Sequence, residues 1–131
     1  MITVSDNDSA NELVRKLGGG NFQAGAAIVN AFCQERSYTS THLGREFLAS
    51  DPTDDNYTSA SDCCRLLSEI YNSSLVNADA SAEMLALLTS QTKTAKIPAG
   101  VPSGTATANK TGELADSGKT RCCRKRYCHC L

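Results

Sequence analysis

The chain has 131 residues, a net charge of −1 and 40% hydrophobic residues, which suits one soluble domain or a piece of a larger one. Near-neutral charge argues against nucleic acid as the main partner, and no apolar run approaches the roughly 18 residues of a membrane helix. Met1-Ile2-Thr3-Val4 runs straight into polar residues without the basic head of a signal peptide, and with no Trp and 5% aromatics large core anchors are scarce.

Helical patterns fill most of the chain. Ser9-Ala10-Asn11-Glu12 fits a capping box, after which Ala10, Leu13, Val14 and Leu17 share one face and Gly18-Gly19-Gly20 stops the helix. Asn21 can cap a second helix with Phe22, Ala26, Val29 and Cys33 as its apolar stripe, ending near Glu35-Arg36. Residues 37–59 are polar and rich in breakers, with a short helical turn expected around Leu43, Phe47 and Leu48. A loop this long inside a compact domain is often functional. Ser59-Ala60-Ser61-Asp62 opens a third helix with Cys63, Leu66, Leu67, Ile70 and Tyr71 facing inward. Asp79 to Gln91 reads as a fourth, with Met84, Leu85, Leu87 and Leu88 as its core face. Residues 96–104 read as an extended connection pinned by Pro98 and Pro102. Thr105 to Lys110 alternates polar and small residues and reads as a strand. No internal repeat is visible.

Two triplets carry chemistry. Ser5-Asp6-Asn7 begins the stretch S-D-N-x-x-x-N-x-L through Leu13, and Lys110-Thr111-Gly112 follows Lys96-Ile97-Pro98-Ala99-Gly100-Val101-Pro102 at a fixed remove. Either triplet alone reads as a polar turn or a strand end. Their order, spacing and flanks together resemble the class A β-lactamases and penicillin-binding serine hydrolases, whose signature is S-x-x-K, S-D-N and K-T-G. The resemblance covers residues 3–116. Asn56-Tyr57-Thr58-Ser59 before the third helix is similar to the exit of that family's omega loop.

The resemblance implies an α+β fold: a fragment of the β-lactamase/transpeptidase-like architecture, mostly its helical half plus the K-T-G strand. It implies acyl transfer from β-lactam or D-alanyl peptide substrates, with no cofactor and no metal. A bacterial parent working outside the cytoplasm, in β-lactam catabolism and antibiotic resistance, is the corresponding setting. By the same resemblance, Ser5 and Lys110 form a proton relay. Asn7 bonds the substrate's amide side chain, Lys110 and Thr111 hold its carboxylate, and Gly112 leaves room for it along the strand edge. The backbone N–H of Glu113 supplies half of the oxyanion hole.

The family pattern fails in three places. Only four residues precede Ser5, so the S-x-x-K nucleophile that should come before it is absent, and the chain is expected to be a truncated, inactive form. Ser90-Gln91-Thr92-Lys93 is an S-x-x-K in the wrong order and reads as a polar helix end with a favourable cation. In Thr41-His42-Leu43-Gly44-Arg45-Glu46-Phe47, aligned with T-x-L-x-R-x-E, the deacylating Glu falls on Phe47. Glu46 stands one position early, about 100° away on a helical turn.

The third failure is the end of the chain. Residues 117–131 read as an unrelated, disordered, basic Cys-rich tail, such as a shifted reading frame or a cloned fragment's end. Gly118-Lys119-Thr120 lacks the earlier Gly of a phosphate-binding loop. Cys122, Cys123, Cys128, His129 and Cys130 lack the usual zinc spacing. The alternative function is a non-catalytic fragment, or a module whose tail binds metal or, through Arg121, Arg124, Lys125 and Arg126, an acidic partner. A strand without neighbours leaves backbone groups unpaired, so marginal stability is expected of the chain alone.

Overall fold

Each of the four helices is opened by a side chain that its own sequence supplies. The structure, a computed structural model, describes residues 1–50 and 53–112. Helix α1 spans Asn7–Leu17 and is capped by Asp6, whose carboxylate accepts the Ser9 N–H at 2.7 Å. The expected cap at Ser9 is therefore displaced. Asp6 captures the Ser9 amide, and Ser9 lies in the first turn. Asn21 caps α2, Phe22–Glu35, and Ser59 caps α3, Ala60–Tyr71, both at the residues read from the sequence. Asn77 caps α4, Ala78–Thr89. That helix stops two residues before Gln91, because Gln91 turns inward and becomes buried.

The helices pack as two pairs, α1 with α2 and α3 with α4. At the first crossing a Cβ on Gly25 would lie 1.8 Å from the Val14 carbonyl oxygen, so only glycine permits this approach. Val14, Phe22 and Ala26 form the core beside it, with Leu43 of the loop against them. Ile70, Leu75 and Leu88 form the second core, joined by Ile2, Leu66, Leu67, Met84, Leu85 and Ala108. Four residues expected to face inward are exposed: Leu13, Leu17, Tyr71 and Leu87. On α1 the reason is Asn11, which takes the inward face with Ala10 and Val14.

Asn11 pays for its burial with a two-way contact. Its Nδ2 donates to the Phe47 carbonyl at 3.3 Å, and its Oδ1 accepts the Phe47 N–H at 2.8 Å. Residues 37–59 are thus fastened at their middle. Their two ends meet at an antiparallel bridge between His42 and Tyr57, with the rings stacked 5.2 Å apart. His42 Nε2–H donates to Asp54 at 2.7 Å, Arg45 Nε to Asp55 at 2.8 Å, and Asn56 Oδ1 accepts the amides of Gly44 and Arg45. The buried Asp62 of α3 accepts from the Ser40 N–H and the Thr41 hydroxyl. Instead of the short helical turn expected around Leu43, Phe47 and Leu48, the loop turns there with Leu48 at φ 67°.

The end of α2 is tied to the second pair through Tyr38, whose hydroxyl donates to Glu69 at 2.8 Å, and through Arg65, which donates to the Ser37 and Arg36 carbonyls. Burial first, and then Glu69, push the Tyr38 phenol up to about 12.

Two expectations for residues 96–112 do not hold. Ile97–Gly100 is a 3₁₀ helix with Pro98 near its start, where proline's fixed φ favours a turn over an extended connection. Thr105 to Lys110 forms no strand; among the described residues β pairing is confined to the His42–Tyr57 bridge. A strand needs a neighbour to exchange hydrogen bonds, and the Asn109 N–H instead donates to Leu88 O at the end of α4, 3.2 Å away.

Gly25→Ala should cost about 3 kcal/mol or more in chemical denaturation, because the clash is with backbone, whereas Gly100→Ala meets open space and should change little. Asn11→Ala should cost about 1–3 kcal/mol and speed amide exchange at Phe47, since both Phe47 backbone groups lose their partner. The raised Tyr38 pKa gives stability that is complete below the ordinary phenol value near 10 and is lost as pH rises to about 12. Urea titrations should show that loss, up to about 2–3 kcal/mol, and Tyr38→Phe should flatten the slope in that window.

Candidate functional site

The site is assembled where the first five residues meet the end of α4. Gln91 Nε2 donates to the Ile2 carbonyl at 2.8 Å, and the Thr92 N–H and hydroxyl both donate to the Thr3 carbonyl at 3.0 Å. A turn closed by the Asp6 N–H donating to the Met1 carbonyl holds Ser5 at φ 62°. A left-handed serine costs conformational energy, and such strain concentrates at functional positions. Ser5 is thereby presented to Lys110, whose Nζ donates to Ser5 Oγ at 2.6 Å across 105 residues of sequence. Lys110 Nζ also donates to the Thr111 carbonyl.

Of the residues expected at the site, Ser5 and Lys110 are in direct contact, and Thr111 and Gly112 continue the same wall. A Cβ on Gly112 would meet nothing within 4 Å, so the surface beside it is open. Asn7 begins α1 two residues after Ser5 and is half-buried. Glu113 lies outside the described residues, as do the tail cysteines, His129 and the tail's basic residues. Partial burial first, and then the charge of Lys93, lower the pKa of Lys110 from its ordinary value. A lowered ammonium pKa eases proton transfer to and from Nζ.

Lys110, Thr111 and Gly112 stand at the edge of an apolar cavity of about 580 Å³ between α3, α4 and residues 96–112. Leu66, Leu67, Ile70, Met84 and Leu88 form much of its wall. Asn109 lines it too, and among the described residues its buried Oδ1 has no hydrogen-bond partner. Such an orphan acceptor is costly and calls for a donor. The spacing of Asn109 just before the triplet marked its place, but its burial depends on the contact with Leu88 and could not be read from the sequence. Lys93, read as a helix-end cation, was missed as a neighbour of Lys110 for the same reason.

The loop carboxylate Glu46 is paired with Arg15 of α1, 2.7 Å distant. Phe47 is the residue gripped by Asn11, and it is 40% exposed. Ser90 of the misplaced S-x-x-K donates its hydroxyl to the Ala86 carbonyl at 2.8 Å, as a helix-end residue does. Among the described residues no group of three His, Cys, Asp or Glu side chains is arranged to hold a metal ion, and no helix is long and apolar enough to cross a membrane.

Comparison with curated proteins and with solved structures finds no match. The family profile described as Beta-lactamase enzyme family (Beta-lactamase2) matches residues 1–121, which include both triplets and the loop that joins α2 to α3. The chain belongs to the beta-lactamase enzyme family.

Proposed function

We propose that these residues form the proton-relay and carboxylate-binding half of a serine acyl-transfer site for β-lactams or D-alanyl peptides. The observation that carries this reading is the 2.6 Å contact between Lys110 Nζ and Ser5 Oγ. A hydroxyl held by an ammonium of lowered pKa can pass a proton to a leaving nitrogen, the step that acyl transfer from an amide requires. The same ammonium, with the Thr111 hydroxyl, offers a carboxylate a point charge and a donor. Asn7 takes the substrate's amide side chain, and Gly112 leaves the approach clear. The Glu113 N–H completes the oxyanion hole with a donor from the nucleophile's own segment.

In this reading the described residues supply the relay and carboxylate-binding part of the site and leave the attacking serine to an S-x-x-K segment. An S-x-x-K segment supplied ahead of Ser5 would find an apolar seat in the cavity beside Lys110 and a buried acceptor at Asn109 Oδ1. The working place of such a parent is outside the cytoplasm, as the family implies.

Deacylation is slow in this reading. The position of the expected base is Phe47, and the neighbouring Glu46 is committed to Arg15. Penicillin binding with a persistent acyl-enzyme is therefore favoured over rapid β-lactam hydrolysis. A fluorescent penicillin incubated with the 131-residue chain should leave no covalent adduct by intact mass, and labelling would overturn the assignment of a missing nucleophile. Joined to an S-x-x-K segment, the protein should acylate. Lys110→Ala should then slow acylation by about 10²–10⁴-fold, and an acylation rate unchanged in that variant would remove Lys110 from the relay.

A further inference from the structure

The cationic character of the site continues past Lys110. The hydrogen bonds from Gln91 and Thr92 to Ile2 and Thr3 bring the next residue, Lys93, to the same side of the molecule as Ser5. The Lys93 N–H is itself fixed, donating to Gln91 Oε1 at 2.9 Å. Lys93 lies near enough to Lys110 for its charge to disfavour the second ammonium. Lys93 and Thr111, the residue after Lys110, line a second cavity of about 520 Å³, whose lining also includes Val4, Thr92, Thr94 and Lys96 and, among the described residues, contains no carboxylate. Thr111 and Lys96 line both this cavity and the larger apolar one, so the two adjoin. Among the described residues, neither Lys93 nor Lys110 has a carboxylate within ion-pair distance. Like charges held together without a counterion repel, and an anion between them relieves the repulsion.

We propose that Lys93 forms a second anion subsite beside Lys110 and Thr111, so that the preferred ligand of this site is a dianion. One carboxylate sits at Lys110 and Thr111, and the second reaches across the shared Thr111 wall to Lys93. The inference rests on the carboxylate role given to Lys110 and Thr111 above and adds the substrate class: β-lactams or peptides carrying a further carboxylate on the same side as the first. Both contacts made by one molecule reinforce each other, since the second forms at a high effective concentration once the first is made.

The test uses the 131-residue protein and two probes, glutarate with two carboxylates and butyrate, the same carbon chain without the second carboxylate. Chemical-shift titrations run at an ionic strength of about 10 mM, where the Debye length far exceeds the site. Glutarate should bind about three- to tenfold more tightly than butyrate. Lys93→Ala should bring glutarate down to the butyrate level and leave butyrate nearly unchanged, and Lys93→Arg should restore the preference. Lys93 is exposed, and a thermal melt verifies that its variants fold. Equal affinity for the two acids in the unaltered protein, or a preference that survives Lys93→Ala, overturns the second subsite. If butyrate binding still depends on Lys110 in that case, the carboxylate role of Lys110 stands and the dianion preference alone fails. If neither acid binds, both fall.

Discussion

The candidate site depends on one short clip, the pairing of Gln91 and Thr92 with the carbonyls of Ile2 and Thr3. It joins the beginning of the chain to the end of α4 and closes a loop of nearly the whole described polypeptide. Closing so long a loop costs entropy that rises only slowly with length, so a few hydrogen bonds and the packing of Ile2 against the second core can hold it. Everything chemical follows from that closure. Ser5 meets Lys110, Lys93 comes alongside, and the cavity gains the wall that Ile2 provides.

The polar residues that matter are the buried ones. Asn11, Asp62 and Gln91 each satisfy backbone groups of a segment distant in sequence, and each fixes the position of a loop that has little regular structure of its own. The ion pairs Arg15–Glu46 and Arg45–Asp55 lie nearer the surface, where solvent screening leaves them little effect on stability. Their effect is on direction. Arg15 turns Glu46 toward α1, and Arg45 with Asn56 holds the far leg of the loop in register.

A site of this kind separates binding from turnover. In the proposed reading the groups that would hold an anion and relay a proton, Lys110 and Ser5, are in contact, whereas Phe47 stands where the loop's carboxylate would be expected. The strained Ser5 and the unpaired Asn109 oxygen are two costs that the described residues do not recover among themselves. Asn109 lines the apolar cavity, and Ser5 meets that cavity's edge through Lys110.

Local signals in the chain were enough to establish the helices, two of the four caps and the family. Caps are chosen within three or four residues and apolar stripes within a few turns, and the triplets with their flanks are contiguous text. Lys110 and Ser5 were legible as a pair through the resemblance alone; nothing local says that residues so far apart touch. Tertiary structure decided which face of α1 is buried, since Asn11 displaces Leu13 and Leu17 by bonding to a loop met only after folding. It decided that residues 105–110 are no strand, because sheet pairing is a property of neighbours and the Asn109 amide finds the end of a helix instead. It also decided the place of Lys93, which sequence shows as a helix-end cation and the clip turns into a neighbour of the catalytic candidate. Charge acts through space, and only the closed chain sets the distances.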